Sequence, residues 1–68
     1  MKIKIDSEFI KLDSLLKLSG VVPTGGAAKI FIQDGEVKVN GEVCTQRGKK
    51  LYAGDEFTYR GNTIKIEE

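Results

Sequence analysis

With 68 residues, 40% hydrophobic and 31% charged, the chain has material for one hydrophobic core and reads as an ordinary folded domain. A net charge of +1 names no partner, the absence of histidine removes the commonest general base, and the lone Cys44 can form neither an internal disulfide nor a Cys/His metal cluster. No apolar run approaches the roughly 20 residues of a membrane span, and the opening MKIKIDSEF lacks the apolar region of a signal peptide, so the expectation is a cytoplasmic, non-enzymatic protein with no cofactor or metal.

The alternation Lys2, Ile3, Lys4, Ile5 predicts a strand with one face buried. KLDSLLKLSG then predicts a helix: Leu12, Leu15 and Leu16 fall on one stripe with Leu18 beside Leu15, while Lys11, Asp13, Ser14 and Lys17 face outward. Gly20 suits a left-handed C-terminal cap, and Pro23 cannot continue the helix, so Val21 to Pro23 is a short connection. A second helix is expected between Thr24 as its N-cap and a cap at Gly35, after Asp34. Ala27, Ala28, Ile30, Phe31 and Ile32 make its wide apolar face, and Gly25, Lys29 and Gln33 line the polar one.

After Gly35 the period falls to 2. EVKVNGEV places Val37, Val39 and Val43 around Asn40-Gly41, a hairpin signal because both turn residues tolerate positive φ. The remainder predicts a turn at Ala53-Gly54-Asp55, strand residues Phe57 and Tyr59, a turn at Arg60-Gly61-Asn62, and a last strand with Ile64 and Ile66. Cys44, in the expected strand segment GEVCTQ, is expected to pack rather than react. The order implies one α+β domain over residues 1–68, a helix-turn-helix-like pair packed on a sheet of about four to five short strands.

Two places could carry chemistry. Thr24-Gly25-Gly26 opens the second helix, where free N–H groups and the positive end of the helix dipole attract anions, and Lys29 adds a charge one turn on. The competing reading is that the glycines merely permit a tight entry after Pro23 or a close approach to the first helix. The second place is the basic set Lys38, Arg47, Lys49 and Lys50, with Asn40 and Gln46 as neutral hydrogen-bonding groups. Val43 to Gly54 holds no acid and carries +3, leaving the rest of the chain at −2. Such a cluster can neutralise phosphates, or simply be a solvated loop. The adjacent pairs Asp55-Glu56 and Glu67-Glu68 point to opposite faces of a strand and make no acid/base site. Phe31, Phe57 and Tyr59 take core-like phases and Phe9 and Tyr52 fit either environment, so no stacking platform for single strands is visible.

Taken together, residues 11 to 57 resemble the RNA-binding domain named after ribosomal small-subunit protein four, the S-four domain or alpha-L motif. Lys11-Leu12-Asp13 resembles that family's opening, Ala28-Lys29 its Ala-Arg step, Gly35-Glu36-Val37-Lys38-Val39-Asn40-Gly41 its hairpin and Gly54-Asp55 its closing turn. The whole chain is similar to the stand-alone bacterial members called YaaA-like or YbcJ-like. The resemblance implies binding of structured RNA, ribosomal RNA or the ribosome foremost, chiefly through phosphates. It nominates Lys11, Lys29, Lys38 and Asn40, with Arg47, Lys49 and Lys50 in the following loop. One departure is plain: Thr24-Gly25-Gly26 stands where the family has Ser-Arg, so either that contact is weaker here or the glycine N–H groups replace the missing guanidinium.

A different class of function is also compatible with the hairpin. Sulfur carriers of the β-grasp type share a Val-Asn-Gly-Glu hairpin and a later Gly-Asp turn, which raises a protein-interaction or carrier module as the alternative. Carrier chemistry needs a C-terminal Gly-Gly, and this sequence closes on IKIEE. Docking of a protein on an edge strand stays open.

Overall fold

The structure, a computed structural model, describes residues 2–68, so Met1 of the first predicted strand lies outside the described residues. The alternating lysines and isoleucines form β1 (Lys2–Lys4), with Ile3 half-buried and the following Ile5 buried. Its partner is the last strand, β7 (Asn62–Glu67), paired in parallel at Lys2↔Lys65, Ile3↔Ile66 and Lys4↔Glu67. Parallel pairing requires a crossover, and here all the intervening elements supply it.

The first helix, α1 (Leu12–Leu18), buries Leu12, Leu15 and Leu16 completely. Its N-cap residue, Lys11, makes no side-chain cap bond. Instead the backbone N–H groups of Leu12 and Asp13 donate to the carbonyls of Lys49 (2.8 Å) and Arg47 (3.1 Å), so a distant loop satisfies donors that a helix start leaves free. Gly20 takes φ +83 after the helix, as the cap requires. The second helix, α2 (Gly25–Gln33), begins as expected: the Thr24 hydroxyl accepts from the Ala27 N–H at 3.1 Å. It ends on Asp34 with Gly35 at φ +77.

Two apolar positions depart from expectation. Leu18 is 58% exposed and Ile30 60% exposed. Each lies two residues from a core-facing position, Leu16 in α1 and Ile32 in α2, and two residues are about 200° around a helix. The buried stripe of α2 is accordingly narrow, Ala28 and Ile32, flanked by the half-buried Ala27 and Phe31.

The remaining strands are β3 (Val37–Val39), β4 (Glu42–Val43), β5 (Lys50–Leu51) and β6 (Glu56–Tyr59). One mixed sheet of five strands runs in the order β1-β7-β6-β3-β4. Asn40 (φ 50) with Gly41 (φ 87), and Arg60 (φ 50) with Gly61 (φ 82), make the two tight hairpin turns. Val37, Val39, Phe57, Tyr59, Ile64 and Ile66 line the face that joins the helical leucines in a single core. The opposite face is open and carries a row set by register: Val43, Lys38, Thr58 and Thr63. Val43 therefore shares a face with Lys38 and is exposed, whereas Cys44 packs half-buried against the core.

A second, two-stranded sheet was not legible in the sequence. The segment before α1 forms β2 (Ile10–Lys11), which pairs antiparallel with β5 at Ile10↔Leu51 and Lys11↔Lys50. Leu51 is fully buried, which pins this ribbon to the core.

Candidate nucleic-acid interface

The loop between β4 and β5 is held in place by its own main chain. Its carbonyls at Arg47 and Lys49 are anchored to the start of α1, the Lys49 N–H donates to the Gln46 carbonyl (3.2 Å), and the Arg47 Nε donates to Asp13 Oδ2 at 3.2 Å. That ion pair draws Arg47 against the helix while leaving its two terminal guanidinium nitrogens outside this contact. Lys49 and Lys50 are exposed, and among the described residues neither they nor Lys11 pair with a carboxylate. The antiparallel register sets Lys11 directly opposite Lys50. Side by side, two cations repel unless an anion lies between them.

An open groove of about 480 Å³ runs between the β3–β4 hairpin and this loop, with Asn40, Gln46 and Lys49 on its walls and Val39, Val43 and Cys44 among its apolar lining. Within it Asn40 plays a structural role, since its Oδ1 accepts from the Glu56 N–H (3.0 Å) and its Nδ2 donates to Asp55 Oδ1 (3.2 Å). Asp55 Oδ2 in turn accepts from the Tyr52 N–H at 2.8 Å. The Asn-Gly and Gly-Asp turns are thus one hydrogen-bonded assembly.

The other nominated residues are joined to this cluster by no hydrogen bond or ion pair among the described residues. Lys38 is on the open face of the sheet, across from the helical layer. Thr24, Gly25, Gly26 and Lys29 make no hydrogen bond or ion pair with the loop among the described residues. A methyl group added at Gly25 would meet nothing within 4 Å, and at Gly26 only the Thr24 hydroxyl at 3.8 Å. Neither glycine has the positive φ seen at the turn glycines. Close approach to α1 therefore does not explain them, and the first turn of α2 is sterically open.

The family model for the S4 domain matches residues 3–67. The chain belongs to the S4-domain family. It is 48% identical over 59 residues to RlbA of Bacillus subtilis (strain 168), named a probable ribosome maturation protein, covering 87% of this chain and 83% of that one. It is 39% identical over 57 residues to YbcJ of Escherichia coli (strain K12), covering 84% and 81%. The solution structure of YbcJ, described as revealing an αL motif involved in RNA-binding, superposes with a TM-score of 0.75 at 32% identity over 98% of this chain and 86% of that one. The trimeric structure of heat shock protein 15 from Vibrio cholerae superposes at 0.77 with 28% identity, over 90% of this chain and 65% of that one.

Within this S4 domain the polar residues of the motifs and of the following loop are used differently. Asp13, Asn40 and Asp55 are occupied with internal hydrogen bonds, whereas Lys11, Lys29, Lys49 and Lys50 are exposed and outside every ion pair among the described residues. Phe9 and Tyr52, which the sequence assigns to neither core nor surface, come together: their rings meet at 6.1 Å with the Lys50 ammonium 4.7 Å over Phe9. The available signal was the period-2 spacing of Phe9-Ile10-Lys11 and Lys50-Leu51-Tyr52. Sequence reasoning passed over Arg60, whose guanidinium lies 5.3 Å from both the Phe31 and Tyr59 rings and 3.8 Å from a Glu36 carboxylate oxygen.

Proposed function

We propose that this chain is a non-enzymatic RNA-binding protein whose partner is structured RNA, ribosomal RNA or a ribosome-associated RNA foremost, gripped mainly through phosphates. The observation that carries the reading is Lys11 opposite Lys50 with Lys49 beside them, cations without a carboxylate partner among the described residues, on backbone that the Lys49 and Arg47 carbonyls fix to the α1 terminus. Cations carried on fixed backbone bind a polyanion with less ordering cost than cations on a mobile loop. The ribosome maturation named for RlbA and the RNA-binding motif described for YbcJ favour the same class of partner. On this reading Arg47 supplies its free guanidinium edge, and Gln46 contributes an amide from the groove wall.

The α2 terminus gives a second grip. The N–H groups at Gly25 and Gly26 are uncovered by any side chain of their own, and Lys29 stands one turn along. Lys38, on the open sheet face, touches RNA only where the RNA reaches around the β4 edge. Fluorescence anisotropy with a folded ribosomal RNA fragment at two salt concentrations tests the reading. The expected result is binding that weakens steeply with salt, and the absence of binding at low salt, or indifference to salt, sinks it.

A further inference from the structure

We propose that the β2–β5 ribbon carries a nucleobase-stacking subsite, in which Tyr52 takes an unpaired base of an RNA while Lys11 and Lys50 hold its flanking phosphates. The inference rests on the RNA-binding reading and adds to it the kind of nucleotide recognised.

Side chains alternate along a strand, so the pairing Ile10↔Leu51 and Lys11↔Lys50 separates two faces. Leu51 enters the core, and Lys11 and Lys50 point the other way. Phe9 and Tyr52, each two residues from one of those lysines, extend the same outer face. Their rings meet at 6.1 Å with an interplanar angle of 53°. The Lys50 ammonium lies 4.7 Å over Phe9 and covers that ring. Phe9 is half-buried and serves as a support, whereas Tyr52 is 45% exposed and offers ring surface to solvent.

Tyr52 is also held ready. Its N–H donates to Asp55 Oδ2 at 2.8 Å and its carbonyl accepts from the Asp55 N–H at 2.9 Å, and Asp55 is itself gripped by Asn40. An exposed aromatic ring on a fixed backbone, beside two cations without carboxylate partners among the described residues, matches a nucleotide: a flat base for the ring and anionic oxygens for the ammonium groups. Paired bases in a helix present no free face, which restricts the occupant to a loop, bulge or end.

The test uses the full chain with two RNAs of equal length, a perfect duplex and the same duplex interrupted by a short loop containing 2-aminopurine. Wild type should bind the looped RNA about tenfold more tightly than the duplex and quench the 2-aminopurine. Tyr52→Ala should abolish that preference and the quenching, with circular dichroism reporting an intact fold, and Tyr52→Phe should retain both. Persistence of quenching and preference in Tyr52→Ala overturns the subsite, as does equal binding of the two RNAs by wild type. If wild type binds neither RNA at low salt, the RNA-binding reading falls and the subsite with it.

Discussion

The Asn40 amide and the Asp55 carboxylate, 15 residues apart in sequence, meet at 3.2 Å and tie the β3–β4 turn to the turn after β5. Asn40 satisfies two demands at once: its backbone tolerates φ 50, and its side chain also accepts from the Glu56 N–H. Asn40→Gly keeps the backbone and removes both side-chain bonds, and should cost about 1 kcal/mol after allowance for solvent exposure. Asn40→Ala adds left-handed strain and should cost more. Thermal unfolding followed by circular dichroism checks the order, with a shift of roughly 4–8 °C per kcal/mol for a domain of this size.

Gly25→Ala and Gly26→Ala have room for the added methyl group and need no change of φ, so each should stabilise α2, by up to about 1 kcal/mol. If RNA phosphate lies against the first turn, the same variants should bind RNA less tightly. Parallel measurement of unfolding and of anisotropy makes the two effects separable: gained stability with unchanged affinity would assign the glycines no part in binding.

Replacing Lys11, Lys49 and Lys50 singly by alanine should lower RNA affinity and flatten the plot of log affinity against log salt, by about 0.7–0.9 for each phosphate no longer neutralised. Lys38→Ala is expected to change the slope less, because its side chain lies on the open face of the sheet. A Lys38 effect equal to that of Lys50 would mean that RNA wraps both faces.

Arg47→Ala removes the ion pair with Asp13 Oδ2 but leaves the loop carbonyls that receive the Leu12 and Asp13 N–H groups. As a partly exposed ion pair it should contribute below about 1 kcal/mol to global stability. Its effect should instead be local, with faster hydrogen exchange at the Leu12 and Asp13 amides in NMR spectra. Unchanged exchange there would show that the backbone bonds alone hold the loop.

What the sequence by itself determined is what local rules encode. The Thr24 cap, the Gly20 and Gly35 helix ends, the Asn40-Gly41 and Arg60-Gly61 turns and the buried stripe Leu12, Leu15, Leu16 all follow from φ preference, capping chemistry and periodicity within a few residues. The basic cluster was equally visible as an acid-free run. Which cations stand together was decided by the tertiary structure alone. The Lys11 and Lys50 pairing, the Arg47 grip on Asp13 across 34 residues, the Phe9 and Tyr52 contact, and the placement of Lys38 on the open sheet face all depend on strand register. Register between distant segments is set by which apolar side chains share the core, here Leu51 beneath the ribbon and Val37 and Val39 beneath Lys38. A two-residue strand such as Ile10–Lys11 is too short to announce itself by alternation, and exists because Leu51 and the start of α1 give it a partner and a place.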